Sequence, residues 1–371
     1  CWPWWYLGQS VWGCVSLYSE KDLIHGGDIY THRDLKPGQK LLDFSANLNP
    51  LGMPAPVAEA ARQAVDQSAC YPDPLCRDLR RAIAAHDGVG EKQVVCGNGA
   101  ADLIFRLVFA LKPKKALVTA PAFSEYEEAV TCVGCQVVRY TLDQDKNFDL
   151  DAGFVDAIES DTDLVFLCTP NNPTGRLIDQ DLLKAVVTRC GAVGAVLVVD
   201  ECFLPLATGG PGLAPWLANH PHLVLLRAFT KSYAMAGLRL GYCLTANEGL
   251  REQLGKFAQP WSVSTPAQAA GVAALTCCPH WPAEGRRFVE EARPGLAAGL
   301  TVAGCTVIPG QANYLLFRLP GVTDLKEKLL EQGVLIRSCA NYHGLGPDWY
   351  RACVRGEEEN RRLLAALSEV Q

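Results

Sequence analysis

Four stretches of this chain carry residue types that could act together on one ligand. Gly97-Asn98-Gly99-Ala100-Ala101-Asp102 follows a short apolar run and leads into a helical pattern. Small residues at a helix N-terminus leave backbone N–H groups free for a phosphate. Thr169-Pro170-Asn171-Asn172-Pro173-Thr174-Gly175 follows a second run, and its prolines hold an Asn side chain in a rigid turn. Asp200 and Glu201 close a third run, where a carboxylate is costly unless paired. Phe229-Thr230-Lys231 closes a fourth, followed by Gly237-Leu238-Arg239-Leu240-Gly241. Each alone has an ordinary structural use. Together they ask for a ligand with a phosphate, a basic ring nitrogen and a carbonyl, and pyridoxal 5'-phosphate has all three. Lys231 would form a Schiff base with the carbonyl, and an acid would keep the ring nitrogen protonated, which makes the ring an electron sink.

The elements that must position these residues are legible in the apolar pattern. Strands are expected at 94–96, 116–119, 137–140, 164–168, 196–199, 223–226 and 240–244. Several are apolar at successive positions, as strands buried on both faces should be. Helical stretches such as 102–111 and 179–189 intervene, which predicts an α/β domain with a mostly parallel sheet. Ligands of such sheets bind beyond the carboxyl ends of the strands, where the four stretches fall. A long helix at 281–303, strands at 314–318 and 335–338 and a closing helix at 357–370 predict a smaller α+β domain. The expected divisions are an atypical extension at 1–24, an arm at 25–50, a large domain at 51–260 and a small domain at 261–371.

Composition narrows the classes. The chain has 371 residues, 49% of them hydrophobic, with 34 Lys+Arg against 40 Asp+Glu and a net charge of −6, so a large core is available and nucleic acid is not an expected partner. No apolar run approaches the ~18–20 residues of a membrane span, so no membrane partner is expected. The sixteen cysteines are scattered, many within apolar runs, which reads as packed thiols in a reducing cytoplasm. One CxxC, Cys132 to Cys135, has no second pair to complete a zinc site, and no metal is expected. The extension at 1–24 holds four of the eight Trp and no basic n-region; it reads as a gene-start artefact ahead of a domain that begins near Leu23.

From His25 to the C-terminus the chain resembles the fold-type I pyridoxal-phosphate enzymes, the aspartate aminotransferase superfamily. The motifs that carry this are Asn171 to Gly175, Asp200-Glu201, and Thr230-Lys231 with Gly237 to Gly241. The resemblance implies a seven-stranded, mostly parallel sheet flanked by helices, and a homodimer with shared sites. It implies Lys231 as the covalent attachment point, Asp200 as the partner of the ring nitrogen and Asn172 as donor to the ring hydroxyl. Gly99, Ala100, Ala101, Thr230 and Arg239 would hold the cofactor phosphate. Phe123 would stack on the ring, and Tyr71 would reach the neighbouring subunit's cofactor phosphate.

Within the superfamily the chain is similar to the threonine-phosphate decarboxylases and, next, to the histidinol-phosphate aminotransferases. The pointers are His25-Gly26-Gly27-Asp28, the stretch 42–52, the stretch 335–342, and Tyr350 to Arg355 followed by Glu359-Asn360. That resemblance implies decarboxylation of O-phospho-L-threonine to (R)-1-aminopropan-2-yl phosphate in cobalamin biosynthesis. A histidinol-phosphate type of aminotransferase is the alternative, and a non-catalytic pyridoxal-phosphate-binding protein the lesser one. Arg351 would bind the α-carboxylate, with Arg337, His25 and Asn47 around the substrate phosphate. Two departures stand out. Ala228 replaces a usual phosphate-binding Ser, and Phe203 replaces a Tyr common in the related aminotransferases.

Overall fold

The computed structural model describes residues 25–30 and 41–370. The extension read at 1–24 lies outside them. The first strands are β1 Leu42–Asp43, β2 Val94–Gly97, β3 Lys115–Ala120, β4 Gln136–Thr141, β5 Leu164–Cys168, β6 Val196–Asp200, β7 Leu223–Ala228 and β8 Gly241–Thr245. All but β1 join one sheet in the order β2-β8-β7-β6-β5-β3-β4, and each falls on an expected strand to within about two residues at its ends. Neighbours pair in parallel except β8, which runs antiparallel to both β2 and β7.

The unbroken apolar runs are explained by two cores. Val165 and Leu167 of β5 point into one core with Leu197 and Val199 of β6. Leu164, Phe166 and Cys168 point into the other with Val198. Successive side chains face opposite sides of the sheet, so a strand covered by helices on both faces must be apolar at every position. The helix Thr265–Cys277 belongs to the first core through Ala267, Ala270 and Ala274. A Cβ at Gly271 would lie 2.6 Å from the Leu240 side chain and 2.7 Å from that of Leu79, so the small residue permits this close approach.

The second layer system contains β9 Thr306–Val307, β10 Tyr314–Arg318, β11 Val334–Leu335, β12 Arg337–Ser338 and β13 Trp349–Cys353. Four of them form an antiparallel sheet in the order β12-β13-β10-β9, while β11 pairs in parallel with β1. The single strand expected at 335–338 is thus two. Leu335 pairs with Asp43 and Arg337 with Arg351, and fully buried Ile336 lies between them. The helices Trp281–Val302 and Glu357–Glu369 cover this sheet through Val289, Leu296, Leu363 and Leu367.

The buried acid Glu201 is paired. Arg227 donates to its Oε2 through Nε at 2.8 Å and Nη2 at 2.6 Å, and reaches Asp87 through Nη1 at 2.7 Å. Leu213 N–H donates to Oε1 at 2.7 Å. Glu201 therefore serves the structure, and Asp200 beside it faces the site. Cys168, Cys190, Cys243 and Cys353 are buried free thiols. Cys135 is buried and Cys132 exposed. Among the described residues no group of three or more His, Cys, Asp or Glu is placed to hold a metal, and no helix is long and apolar enough to cross a membrane.

Candidate active site

Register brings the four stretches to one sheet edge. Cys168 lies beside Asp200, Asp200 beside Leu226, and Ala228 beside Gly241, which in turn lies beside Gly97. The link between β7 and β8 carries the short helix Phe229–Ser232, and with it Lys231, across this edge.

At one end, the helix Ala100–Leu111 starts after Gly99 with no side-chain cap. The Gly99 N–H is spent on the Gly97 carbonyl at 2.9 Å, whereas Ala100 and Ala101 lie in the first turn, where N–H groups have no intrahelical acceptor. A Cβ on Gly99, which has φ +85°, would lie 2.7 Å from an Arg239 Nη2 atom. A Cβ on Gly241 would lie 2.8 Å from the Ala100 nitrogen. Glycine at both positions keeps a guanidinium and two N–H donors around one small concavity, which fits a phosphate. Arg239 itself is exposed, with φ +57° and Nη1 donating to the Ala236 carbonyl at 3.2 Å. Ala228, capping the Phe229–Ser232 helix, offers no hydroxyl, while Thr230 is buried two residues on. Restoring the hydroxyl should strengthen phosphate binding. Ala228→Ser is expected to lower the apoenzyme's Kd for pyridoxal phosphate about tenfold, the worth of one hydrogen bond to a charged group, read by absorbance titration.

At the centre, Asp200 is 5% exposed. Its Oδ1 accepts from Cys202 N–H at 2.9 Å and its Oδ2 from Tyr126 Oη at 2.7 Å. Burial first, then the Asp200 charge, hold the Tyr126 phenol well above its ordinary pKa, so it stays a donor. Phe123, half-buried, packs edge-on against the Tyr126 ring at 5.6 Å between centroids. Lys231 Nζ sits 5.6 Å from the Phe203 ring centroid. Burial, then the Arg351 charge, pull its pKa from 10.5 down to about 8. Phe203 lies edge-on to Tyr314, whose hydroxyl donates to the Asn171 carbonyl at 2.9 Å.

At the other end, Arg337 and Arg351 face each other across the β12–β13 ladder, and both are buried. Arg351 donates through Nη1 to Asn172 Oδ1 and through Nη2 to the Ser45 carbonyl at 3.1 Å. Tyr342 Oη donates to the same Asn172 oxygen at 3.4 Å, which leaves the amide nitrogen as the donor side of Asn172. Arg337 donates to the Ser338 carbonyl at 2.6 Å and to Asn341 Oδ1 at 2.7 Å. Asn47 is 2% exposed, and neither of its amide atoms has a partner among the described residues. Its segment is pinned: Asn49 N–H donates to the Lys231 carbonyl at 2.9 Å, and Asn49 Nδ2 to that of Ser232 at 2.8 Å.

His25 reaches this end because of the glycines after it. A Cβ on Gly26 would lie 2.1 Å from the Ser45 carbonyl oxygen, the atom that Arg351 holds. Gly27 N–H donates to Ser45 Oγ at 2.7 Å, and Ser45 Oγ to Asp43 Oδ1 at 2.6 Å. The His-Gly-Gly opening therefore lies flat on the 43–47 segment.

Tyr71 stands apart. It is 77% exposed and stacked on Trp261 with centroids 4.2 Å apart, and no described contact joins it to the cluster within this chain. Residues that the sequence reading passed over also line the site. Tyr126 holds Asp200, Tyr342 holds Asn172 and caps Arg337, and Glu125 pairs with His25. Glu125 and Tyr126 directly follow Phe123-Ser124, and that adjacency was their only signal.

Four cations gather here, Lys231, Arg239, Arg337 and Arg351, and among the described residues none has an ion-pair partner. Like charges directly opposite on a ladder repel, so the pair 337/351 is built for anions. Pyridoxal phosphate fits this donor set on its own terms: a glycine-cleared cradle, an ionisable acid with spare lone pairs, a depressed lysine and the unpartnered amide of Asn47 nearby.

Comparison with known proteins agrees. The pattern of the aminotransferase class I and II family matches residues 39–367, and the chain belongs to that family. It is a pyridoxal-phosphate-dependent enzyme of fold type I. It is 40% identical over 357 residues to the threonine-phosphate decarboxylase of Salmonella typhimurium, covering 93% of this chain and 96% of that protein. It is 35% identical over 356 residues to the histidinol-phosphate aminotransferase of Nitratidesulfovibrio vulgaris, covering 94% of each. The solved histidinol-phosphate aminotransferase of Clostridium acetobutylicum superposes with a TM-score of 0.82 at 29% identity, over 89% of this chain and 99% of that one.

Proposed function

We propose that this chain decarboxylates O-phospho-L-threonine to (R)-1-aminopropan-2-yl phosphate, the step expected in cobalamin biosynthesis. The observation that carries this is the cross-strand pair Arg337 and Arg351, two buried guanidiniums with no carboxylate partner among the described residues. A substrate with an α-carboxylate and a remote phosphate supplies one anion to each. Similarity to the Salmonella enzyme supports the same substrate class. The 35%-identical relative supports aminotransfer as the second reading.

In the proposed roles Lys231 carries the cofactor, Asp200 pairs with its ring nitrogen and Asn172 Nδ2 donates to its hydroxyl. Phe123 covers the ring. Ala100, Ala101, Thr230 and Arg239, shaped by Gly99, hold its phosphate. When bound, the cofactor supplies an electron sink for the pair left by a broken bond at the substrate α-carbon. Arg351 binds the α-carboxylate through its planar fork and sets which bond stands to be broken. Arg337, His25 and Asn47 hold the remote phosphate. Lys231 Nζ would give up its bond to the cofactor to the substrate amine and leave as the free amine. The bond from the α-carbon to the carboxylate breaks, CO2 leaves, and the freed Lys231 Nζ holds the proton that returns to that carbon. A lysine with pKa near 8 can both carry and release that proton at neutral pH.

Incubation of holoenzyme with O-phospho-L-threonine tests this. CO2 release with no 2-oxo acid present is expected, and strict dependence on a 2-oxo acid overturns the proposal. We further propose a cytoplasmic homodimer in which Tyr71 reaches the partner's cofactor phosphate. Its ring lies exposed against Trp261 and is available to a second copy. Sedimentation should return twice the 40.2 kDa chain mass, and Tyr71→Phe should weaken cofactor retention about tenfold; a monomer overturns the assignment. The partition at 25–50, 51–260 and 261–371 is likewise a proposal. Limited proteolysis would place its boundaries.

A further inference from the structure

One buried acid of the site has no task in the reaction described above. Glu125 is the second residue of the helix Ser124–Thr131, which begins directly after Phe123, and is 8% exposed. Its Oε1 lies 3.1 Å from His25 Nε2, and its Oε2 accepts from Ser124 Oγ at 3.1 Å. It lies near the unpartnered cations rather than across from a cation of its own. A buried carboxylate here opposes any phosphate that Arg337 attracts, unless something between them carries positive charge. His25 is the group that can carry it: Nε2 faces Glu125 at 3.1 Å, its side chain is 44% exposed and so open to a ligand, and the charges of Arg337, Arg351 and Lys231 all act on the imidazole.

Resting on the substrate reading above, we propose that Glu125 is the positioning residue that fixes the orientation and the proton of His25. With Nε2–H directed at Glu125, the ring presents Nδ1–H to the remote phosphate. The Glu125–His25 pair thereby selects phosphorylated over unphosphorylated amino acids.

The proton balance follows from the surroundings. Burial, then Arg337, Arg351 and Lys231, push the His25 pKa below 6.5. Burial, with Glu128 adding to it, pushes Glu125 up to about 7, against its own backbone bond, Ser124 and Lys231. Tyr342, a further titratable neighbour among the described residues, is held up mainly by burial and stays neutral. The raised Glu125 and the lowered His25 therefore compete for a proton near neutrality. A phosphate dianion reverses the field of the arginines. That proton then rests on His25, as imidazolium between two anions, with both ring nitrogens donating.

Glu125→Gln keeps the shape and removes the counter-charge. In this holoenzyme the KM for O-phospho-L-threonine is expected to rise about tenfold while kcat falls less than about threefold, the pattern of lost binding. The inhibition constant of L-threonine, which has no phosphate, stays within about twofold. The alkaline limb of kcat/KM moves down by about one pH unit, because the imidazolium loses its neighbouring anion. His25→Gln reproduces the rise in KM, and the double variant adds less than the product of the two. Glu125→Asp, charged but one methylene short, gives a smaller rise, and serves in place of Glu125→Gln if that variant does not fold.

Inorganic phosphate binding, read by calorimetry, separates this inference from the substrate reading. If the parent chain releases no CO2 but Glu125→Gln still weakens phosphate about tenfold, the substrate reading fails and the pair stands. If the parent decarboxylates and Glu125→Gln leaves KM and phosphate affinity unchanged, or weakens L-threonine equally, the pair is overturned.

Discussion

Lys231→Ala releases CO2 from O-phospho-L-threonine at least about a thousandfold more slowly than the parent chain, because two functions leave with one amine. Nζ is the only lysine nitrogen among the site residues, and in the proposed roles it is the point of cofactor attachment. Once freed by the substrate amine, the same atom is proposed to hold the proton that returns to the α-carbon. Its pKa is low for a physical reason: burial and then Arg351 disfavour the ammonium, with Arg239 adding to both, so the amine is half neutral near pH 8. Covalent loading of the parent apoenzyme should accordingly speed up as pH rises through about 8 and then level off. Borohydride reduction followed by mass spectrometry should find the cofactor on the peptide that contains residue 231. A Lys231→Ala protein that kept both covalent label and turnover would exclude this scheme.

Arg351→Ala costs about 10²–10³-fold in kcat/KM, on the scale of about 3–4 kcal/mol for removing one member of a buried charge pair. The loss has two sources that measurement can separate. In the proposed roles the substrate carboxylate loses its fork. Asn172 Oδ1 also loses the Nη1 donor that fixes its amide, and the Ser45 carbonyl loses Nη2, so the cofactor and the 43–47 segment are held less firmly. Cofactor Kd should therefore rise along with the kinetic loss. Arg351→Lys keeps a charge but cannot span Asn172 and Ser45 together, and is expected to recover less than about a tenth of the lost activity. Arg337→Ala differs. Its partners are Ser338 and Asn341 on its own segment, so it should raise KM and leave cofactor Kd where it was. Equal effects of the two alanine variants on cofactor Kd would contradict the division of labour between them.

The large sheet was legible because its central strands, β5 to β7 above all, are nearly continuous apolar runs, and burial on both faces asks for that pattern. The end of each run gave the place of the polar residues as well, since ligand sites of such sheets lie past the carboxyl ends. The strand expected at 335–338 was not legible as two, because its halves answer to different partners. Leu335 follows Asp43, distant in sequence, while Arg337 follows Arg351. Glu201 and Asp200 read alike in sequence. What separates them is Arg227, which the neighbouring strand brings to Glu201.

Sequence by itself determined the chemistry available here: one lysine, one ring-nitrogen acid, one turn-held Asn and a glycine-cleared helix start, in an order that points to pyridoxal phosphate. Tertiary structure decided how the charges are spent. It placed two arginines face to face, and it brought Glu125 to His25 across a hundred residues. Residue types declare which bonds a side chain can make. Electrostatic partnership depends on distances of a few ångströms, and those are set only when strands, arm and small layer are packed together.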